Sequence, residues 1–338
     1  MPLAMSRMGI TLGVSVIVWS GLTAGFGLYL QSRCARYLDR GGASFFALSQ
    51  ITYPNASVIF DAAIAIKCFG VGVSYLIIIG DLMPGVIQGF GLGSGAEFLA
   101  DRHFWITAFM LVIIPLSFLK RLDSLKYTSV VALVSIGYLV ILVVYHFIKN
   151  DTVKDPSPIR WVEWEGIIPA LSSFPVIVFG YTCHQNMFSI LNELADNSHS
   201  SVTGVITASI GAAGASYVLT AVTGYLSFGN NVSGNIVSMY APALSSTIAR
   251  AAIVVLVMFS VPLQVHPCRS SADAVLRWRP KPSTTSRNIN GSAANSPHRH
   301  PLLPSRQQHG PAVGGRAQPG MSDARFAVLT QLFLCLHI

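Results

Sequence analysis

Apolar residues recur in long uninterrupted runs over most of the chain. Seven stretches, roughly Ile10 to Leu30, Ala62 to Ile87, Phe104 to Phe118, Thr128 to Ile148, Gly166 to Leu191, Val202 to Phe228 and Ala243 to Val265, read as helical spans, because about twenty apolar residues of helix cross the hydrocarbon of a bilayer. The third is short and needs help from its flanks. The first follows Arg7 in the manner of a signal peptide, but it runs past Gly21 and Gly25 to Leu30, too long for the apolar part of a leader, and is expected to be retained. The pattern predicts an all-α polytopic membrane protein, with a bundle of about seven spans over residues 1–266. Residues 267–325 form a basic segment, rich in Pro, Ser, His and Gly between Pro280 and Gly320, that reads as a mostly disordered cytosolic tail or loop. The apolar run from Phe326 to Ile338 is too short to cross a bilayer.

Composition agrees with the pattern. Of 338 residues, 52% are apolar and only 11% charged, less than half the charged share of roughly a quarter found in soluble domains. A soluble globular enzyme is excluded on that ground. The formal charge of +8 is concentrated after His266, where nine Lys and Arg face two acids, and the rest of the chain is nearly neutral. A basic segment beside a membrane suits the cytosolic face and anionic lipid, so no nucleic-acid partner is expected. The five cysteines show no C-x-x-C spacing and predict neither a disulfide framework nor a metal site.

Basic residues also set an orientation. Arg33, Arg36 and Arg40 follow the first span, Lys120, Arg121 and Lys126 separate the third from the fourth, and the basic tail follows the seventh. These lie on one face if every span crosses, and the first span then enters from outside. The uncharged loop from Gly229 to Pro242 falls on the opposite face and carries Asn231-Val232-Ser233, which makes Asn231 a glycosylation candidate. A start outside and a stub at the far end are expected of a chain that lacks flanking spans.

Candidate chemistry lies in the fifth span, where Pro169, Pro175 and Gly180 precede six consecutive polar or polarisable residues, Tyr181-Thr182-Cys183-His184-Gln185-Asn186. At 3.6 residues per turn these cannot all avoid lipid. Either the helix breaks and lines a cavity, as secondary transporters arrange around substrate and ions, or the polar groups bond neighbouring helices. His184 suits a proton relay or a structural role. In the second span Lys67 costs roughly 2.5–3.5 kcal/mol at a central position and is expected to face the bundle or to snorkel. Asp81 lies fourteen residues on, about 21 Å along the same face, too far to pair with it. With Pro84 and Gly85 following, Asp81 is expected to end that helix near the outer surface. The glycines at 21, 25, 70, 72, 204, 211 and 214 read as close-packing positions. No Ser-His-Asp order, paired carboxylates or H-E-x-x-H pattern offers an enzyme reading.

Three strings, KCFGVGVSYLIIIGDLMPGVI from Lys67, FPVIVFGYTCHQNMFSILNEL from Phe174 and PLQVHPCRSSADAVLRW from Pro262, resemble the amino acid/auxin permease family, its fungal vacuolar amino acid transporters in particular. The resemblance covers about residues 1–279 and returns faintly from Ser322 to Leu329. It implies a leucine-transporter-like helix bundle with an inverted repeat, present here incompletely, and proton- or sodium-coupled movement of amino acids across the vacuolar membrane without a cofactor. It also implies that the fifth span is the family's broken sixth helix, with Phe179, Gly180, Tyr181, Thr182 and His184 as the unwound segment; Gln185 adjoins them as a substrate-binding candidate. Met1 to Met5 match only the end of the family's first helix, and the run from Phe326 only the start of its ninth. The expected partners are an amino acid substrate and the bilayer, with Lys67 and Asp81 as coupling or structural polar groups. As written, the chain is expected to bind substrate poorly and transport little. A non-transporting membrane sensor or regulatory partner is the alternative.

Overall fold

The computed structural model describes residues 1–39, 41–91, 97–118, 125–150, 152, 158–194, 196–241 and 243–277. Arg40, Lys120, Arg121, residues 278–325 of the expected basic tail and the final apolar run lie outside the described residues, while residues 267–276 of that tail are helical. The helices are α1 (Pro2–Met8), α2 (Ile10–Cys34), α3 (Phe45–Thr52), α4 (Ser57–Gly89), α5 (Arg102–Ser117), α6 (Leu125–Lys149), α7 (Ile167–Gly180), α8 (Met187–Glu193), α9 (His199–Phe228), α10 (Ile236–Met239) and α11 (Leu244–Leu276). Among the described residues six spans are long and apolar enough to cross a membrane, with α7 and α8 counted together as one; α5 is the shorter apolar helix. The fold is that of an all-α polytopic membrane protein.

Local chemistry sets several helix starts. Ser44 accepts from the Ala47 amide, Asp101 from His103 and Asn235 from Val237, each satisfying an amide that the first turn leaves without a partner. Gly9 separates α1 from α2 at φ 77°, a left-handed conformation that side chains resist. A Cβ there would stand 2.7 Å from the Glu163 carbonyl oxygen. The amides of Ile10 and Thr11 then bond the carbonyls of Arg160 and Trp161, so the segment before α7 closes over this junction.

Three of the expected boundaries move. The second span begins at Ser57, not Ala62, which places Lys67 ten residues inside α4. Asp81 does not end that helix. Pro84 sits within it and the helix continues to Gly89, because a proline removes one bond of the ladder without forcing the chain to leave. The seventh span likewise continues past Val265, through Pro267, to Leu276. At 33 residues each, α4 and α11 are about 50 Å long and exceed a hydrocarbon core of about 30 Å, so they tilt or project beyond it.

Packing divides the molecule in two. The first group buries α1, α2, α7, α8 and α9 around Met5, Leu28, Ile177, Met187 and Tyr225. The second buries α4, α5 and α11 around Tyr75, Ile79, Val254 and Val257. Ala132 and Ile136 of α6 pack on Leu256 of α11 and link the two. The α4–α11 pair is antiparallel and is the most extensive interface. Gly89 meets Thr247 at one of its ends, the close approach that small residues permit between membrane helices.

Candidate functional site

The fifth span is broken. Regular α-helix holds to Gly180, where the amides of Tyr181 and Thr182 reach back only three residues, to Val178 and Phe179, both at 3.1 Å. Tyr181 (φ −99°, ψ 15°) and Cys183 (φ −122°, ψ 0°) then leave helical geometry. A 3-10 turn, His184–Asn186, leads into α8. No side chain caps the turn that starts at His184.

The break frees the Gly180 carbonyl, whose partner in an unbroken helix would be the amide of His184. The hydroxyl of Tyr217, on α9, donates to it instead at 2.6 Å, so the group is satisfied inside the protein. The Tyr181 ring stands edge-on to Tyr217, with centroids 5.1 Å apart. Its hydroxyl, buried and without a hydrogen-bond partner, reaches toward α2 and α9, where a Cβ on Gly21 or Gly214 would lie 3.2 or 3.1 Å from it. Tyr181 also lines an apolar groove of about 760 Å³ between α2 and α9, with Gly25, Ile206 and Ile210. The His184 ring lies beside the Ala24 backbone and against Gly27, where a Cβ would approach its Nε2 to 2.7 Å. Thr182 returns its hydroxyl to the Val178 carbonyl at 3.1 Å.

Gln185 connects the break to the second helix group. Lys67 Nζ donates to Gln185 Oε1 at 2.7 Å, and Gln185 Nε2 donates to Gln264 Oε1 at 3.2 Å. Gln185 and Gln264 are 6% and 3% exposed and Lys67 is half-buried, so this chain of hydrogen bonds runs from α4 across the break to α11 with its Gln185–Gln264 link enclosed. Lys67 therefore does not snorkel away; it brings a positive charge to the unwound segment.

Gly180, Tyr181, Thr182, His184, Gln185 and Lys67 thus meet around one break. Phe179 and Gly180, expected in the unwound segment, both remain in the last turn of α7, with Phe179 37% exposed, because the three-residue bonds that follow tighten the turn rather than unwind it. Asp81 lies elsewhere, paired with Arg102 at 2.9 Å on the exposed side of α4. Asn231 ends a 3-10 turn after α9 and is exposed. Tyr217, Gly27 and Gln264 were not anticipated. Gln264 alone carried a signal, as an amide between Pro262 and Pro267 in an apolar run.

Residues 1–310 match the family described as transmembrane amino acid transporter protein. The chain belongs to that family. It is 48% identical over 278 residues to vacuolar amino acid transporter 5 of Schizosaccharomyces pombe, covering 82% of this chain and 65% of that protein. It is 42% identical over 282 residues to vacuolar amino acid transporter 6 of Saccharomyces cerevisiae, covering 82% and 62%. Sodium-coupled neutral amino acid transporter 7 of Homo sapiens is 32% identical over 219 residues, covering 62% and 46%. The chain thus spans a little under two thirds of the length of the fungal relatives. No solved structure matches it. The strings read as family-like from Lys67, Phe174 and Pro262 hold the break and both helices bonded to it.

Proposed function

We propose that this chain carries half of an amino acid site of a secondary active transporter of the vacuolar membrane, and that the site is the break between α7 and α8. The observation that carries the reading is the hydrogen-bond chain Lys67–Gln185–Gln264, which joins unwound backbone to helices of the other packing group. Broken helices at membrane depth are tolerated where they line a cavity, and transporters use them for substrate and coupling ions. The uncapped turn at His184 offers amides, and Lys67 offers positive charge, to a substrate carboxylate. The Tyr181 hydroxyl and the groove beside it suit the remainder of a neutral amino acid. Movement of one helix group against the other would open the site to alternate sides, with a proton or sodium ion as the coupling species.

Thermal unfolding of the full chain in lipid nanodiscs, with each common amino acid in turn, tests the reading. A ligand at about 100 times its Kd stabilises the native state by roughly 2.7 kcal/mol. At least one neutral amino acid is expected to raise the unfolding temperature of the wild type and to lose that effect in Gln185→Leu and Lys67→Met. Equal stabilisation of wild type and both variants, or none by any amino acid, refutes the assignment.

A further inference from the structure

The α4–α11 seam holds a buried acid that the break does not use. Asp61 lies in the second turn of α4, is 4% exposed, and is the one buried carboxyl group among the described residues. Ser271 of α11 lies beside its carboxyl group, and one oxygen, Oδ2, is buried with no hydrogen-bond partner among the described residues. One turn further along, the Cys268 thiol donates to the Ala65 carbonyl at 3.4 Å, and beyond that Lys67 and Gln264 meet Gln185. The acid thus begins a line of polar contacts that ends at the break. Lys67 is six residues from Asp61, about 9 Å along the helix.

Among the described residues no charged group compensates Asp61. The elements around it are α3, the Pro54–Ala56 turn and α11. Neither α3 nor the turn contains a charged residue. On α11, His266 and Arg269 are exposed and Asp273 pairs with Arg277 at 2.8 Å. On α4 itself, Lys67 is bonded to Gln185. Among the described residues no ion pair involves Asp61. A charged group buried in a membrane helix without a counter-ion is costly, and such groups are retained where function uses the charge.

We propose that Asp61 is a proton-binding site, with a proton from water forming an O–H bond at Oδ2 while the carboxyl group is enclosed and returning to water when this end of α4 opens to solvent. The bound proton removes the charge that burial penalises. The binding step stands on its own. The further role, coupling protonation to the break through α4, rests on the transporter reading.

Infrared difference spectroscopy of the full chain in nanodiscs, without any amino acid, tests the binding step. A protonated-carboxyl C=O band that shifts on H2O/D2O exchange and gives way to a carboxylate band as pH rises is expected in the wild type. It is expected to vanish in Asp61→Asn and to change frequency in Ser271→Ala, which keeps the acid and removes its partner. Should Asp61→Asn lose its helical circular dichroism, the Ser271→Ala comparison decides alone. A band unaffected by either substitution, or an Asp61 signal that stays carboxylate at every pH, overturns the proposal. So does a signal that responds to sodium at fixed pH and not to pH, which would assign the site to a metal cation. Because no substrate is present, failure of amino acid binding leaves this result standing.

Discussion

Tyr217→Phe removes one oxygen and isolates the cost of the helix break. In the wild type that hydroxyl is the donor, at 2.6 Å, that satisfies the Gly180 carbonyl freed where the chain leaves α7. Phenylalanine keeps the edge-on ring contact with Tyr181 and opens little space, so the loss is almost entirely the hydrogen bond. Leaving a buried carbonyl unsatisfied costs about 1–3 kcal/mol, whereas hydrogen bonds between membrane helices average about 0.6 and reach about 1.7 kcal/mol. The Gly180 carbonyl is buried and has already lost its helical partner, so the upper part of the membrane range applies. We expect about 1–2 kcal/mol, a factor of roughly 5–30 in the folded-to-unfolded ratio. Equilibrium unfolding in mixed micelles measures the global term. Hydrogen exchange at Tyr181 to Met187 measures the local one and should rise in the variant while exchange in α4 and α11 does not. A destabilisation below about 0.5 kcal/mol, with unchanged exchange at the break, would mean that the carbonyl finds another donor and that Tyr217 does not hold the break open.

Two further substitutions probe other parts of the argument. Gly27→Ala should cost roughly 1–3 kcal/mol, because the new methyl would stand 2.7 Å from His184 Nε2; Gly25→Ala, where the contact to Ile210 is an ordinary 3.8 Å, should cost far less, and equal unfolding midpoints for the pair would refute the assigned contact. Arg250→Met removes a buried guanidinium that donates to the carbonyls of Val237, Ser238, Tyr240 and Gly85, at 3.1 to 3.5 Å. A loss of about 2–4 kcal/mol and faster hydrogen exchange over Ile236–Tyr240 are expected. Unchanged exchange there would show that the arginine does not fasten the α10 segment to α4.

Apolar patterning alone specified a membrane helix bundle, its long spans, and the polar cluster at which the fifth of them either breaks or bonds its neighbours. Apolar runs of this length need a bilayer or a large core to cover them, and the coincidence of Pro175, Gly180 and six polar residues marked where a regular helix would have to break or find polar partners on its neighbours. Helix ends were less legible, because Pro84 and Pro267 look like stops yet lie inside α4 and α11, where neighbouring helices hold the chain in register. The partners emerged from packing. That Lys67 meets Gln185, that Tyr217 answers the carbonyl of Gly180, that Gly27 makes room for His184, and that Asp61 is enclosed rather than exposed near a helix end all depend on residues far apart in the chain. Periodicity reports which residues share a face; the crossing and rotation of packed helices decide what each face meets.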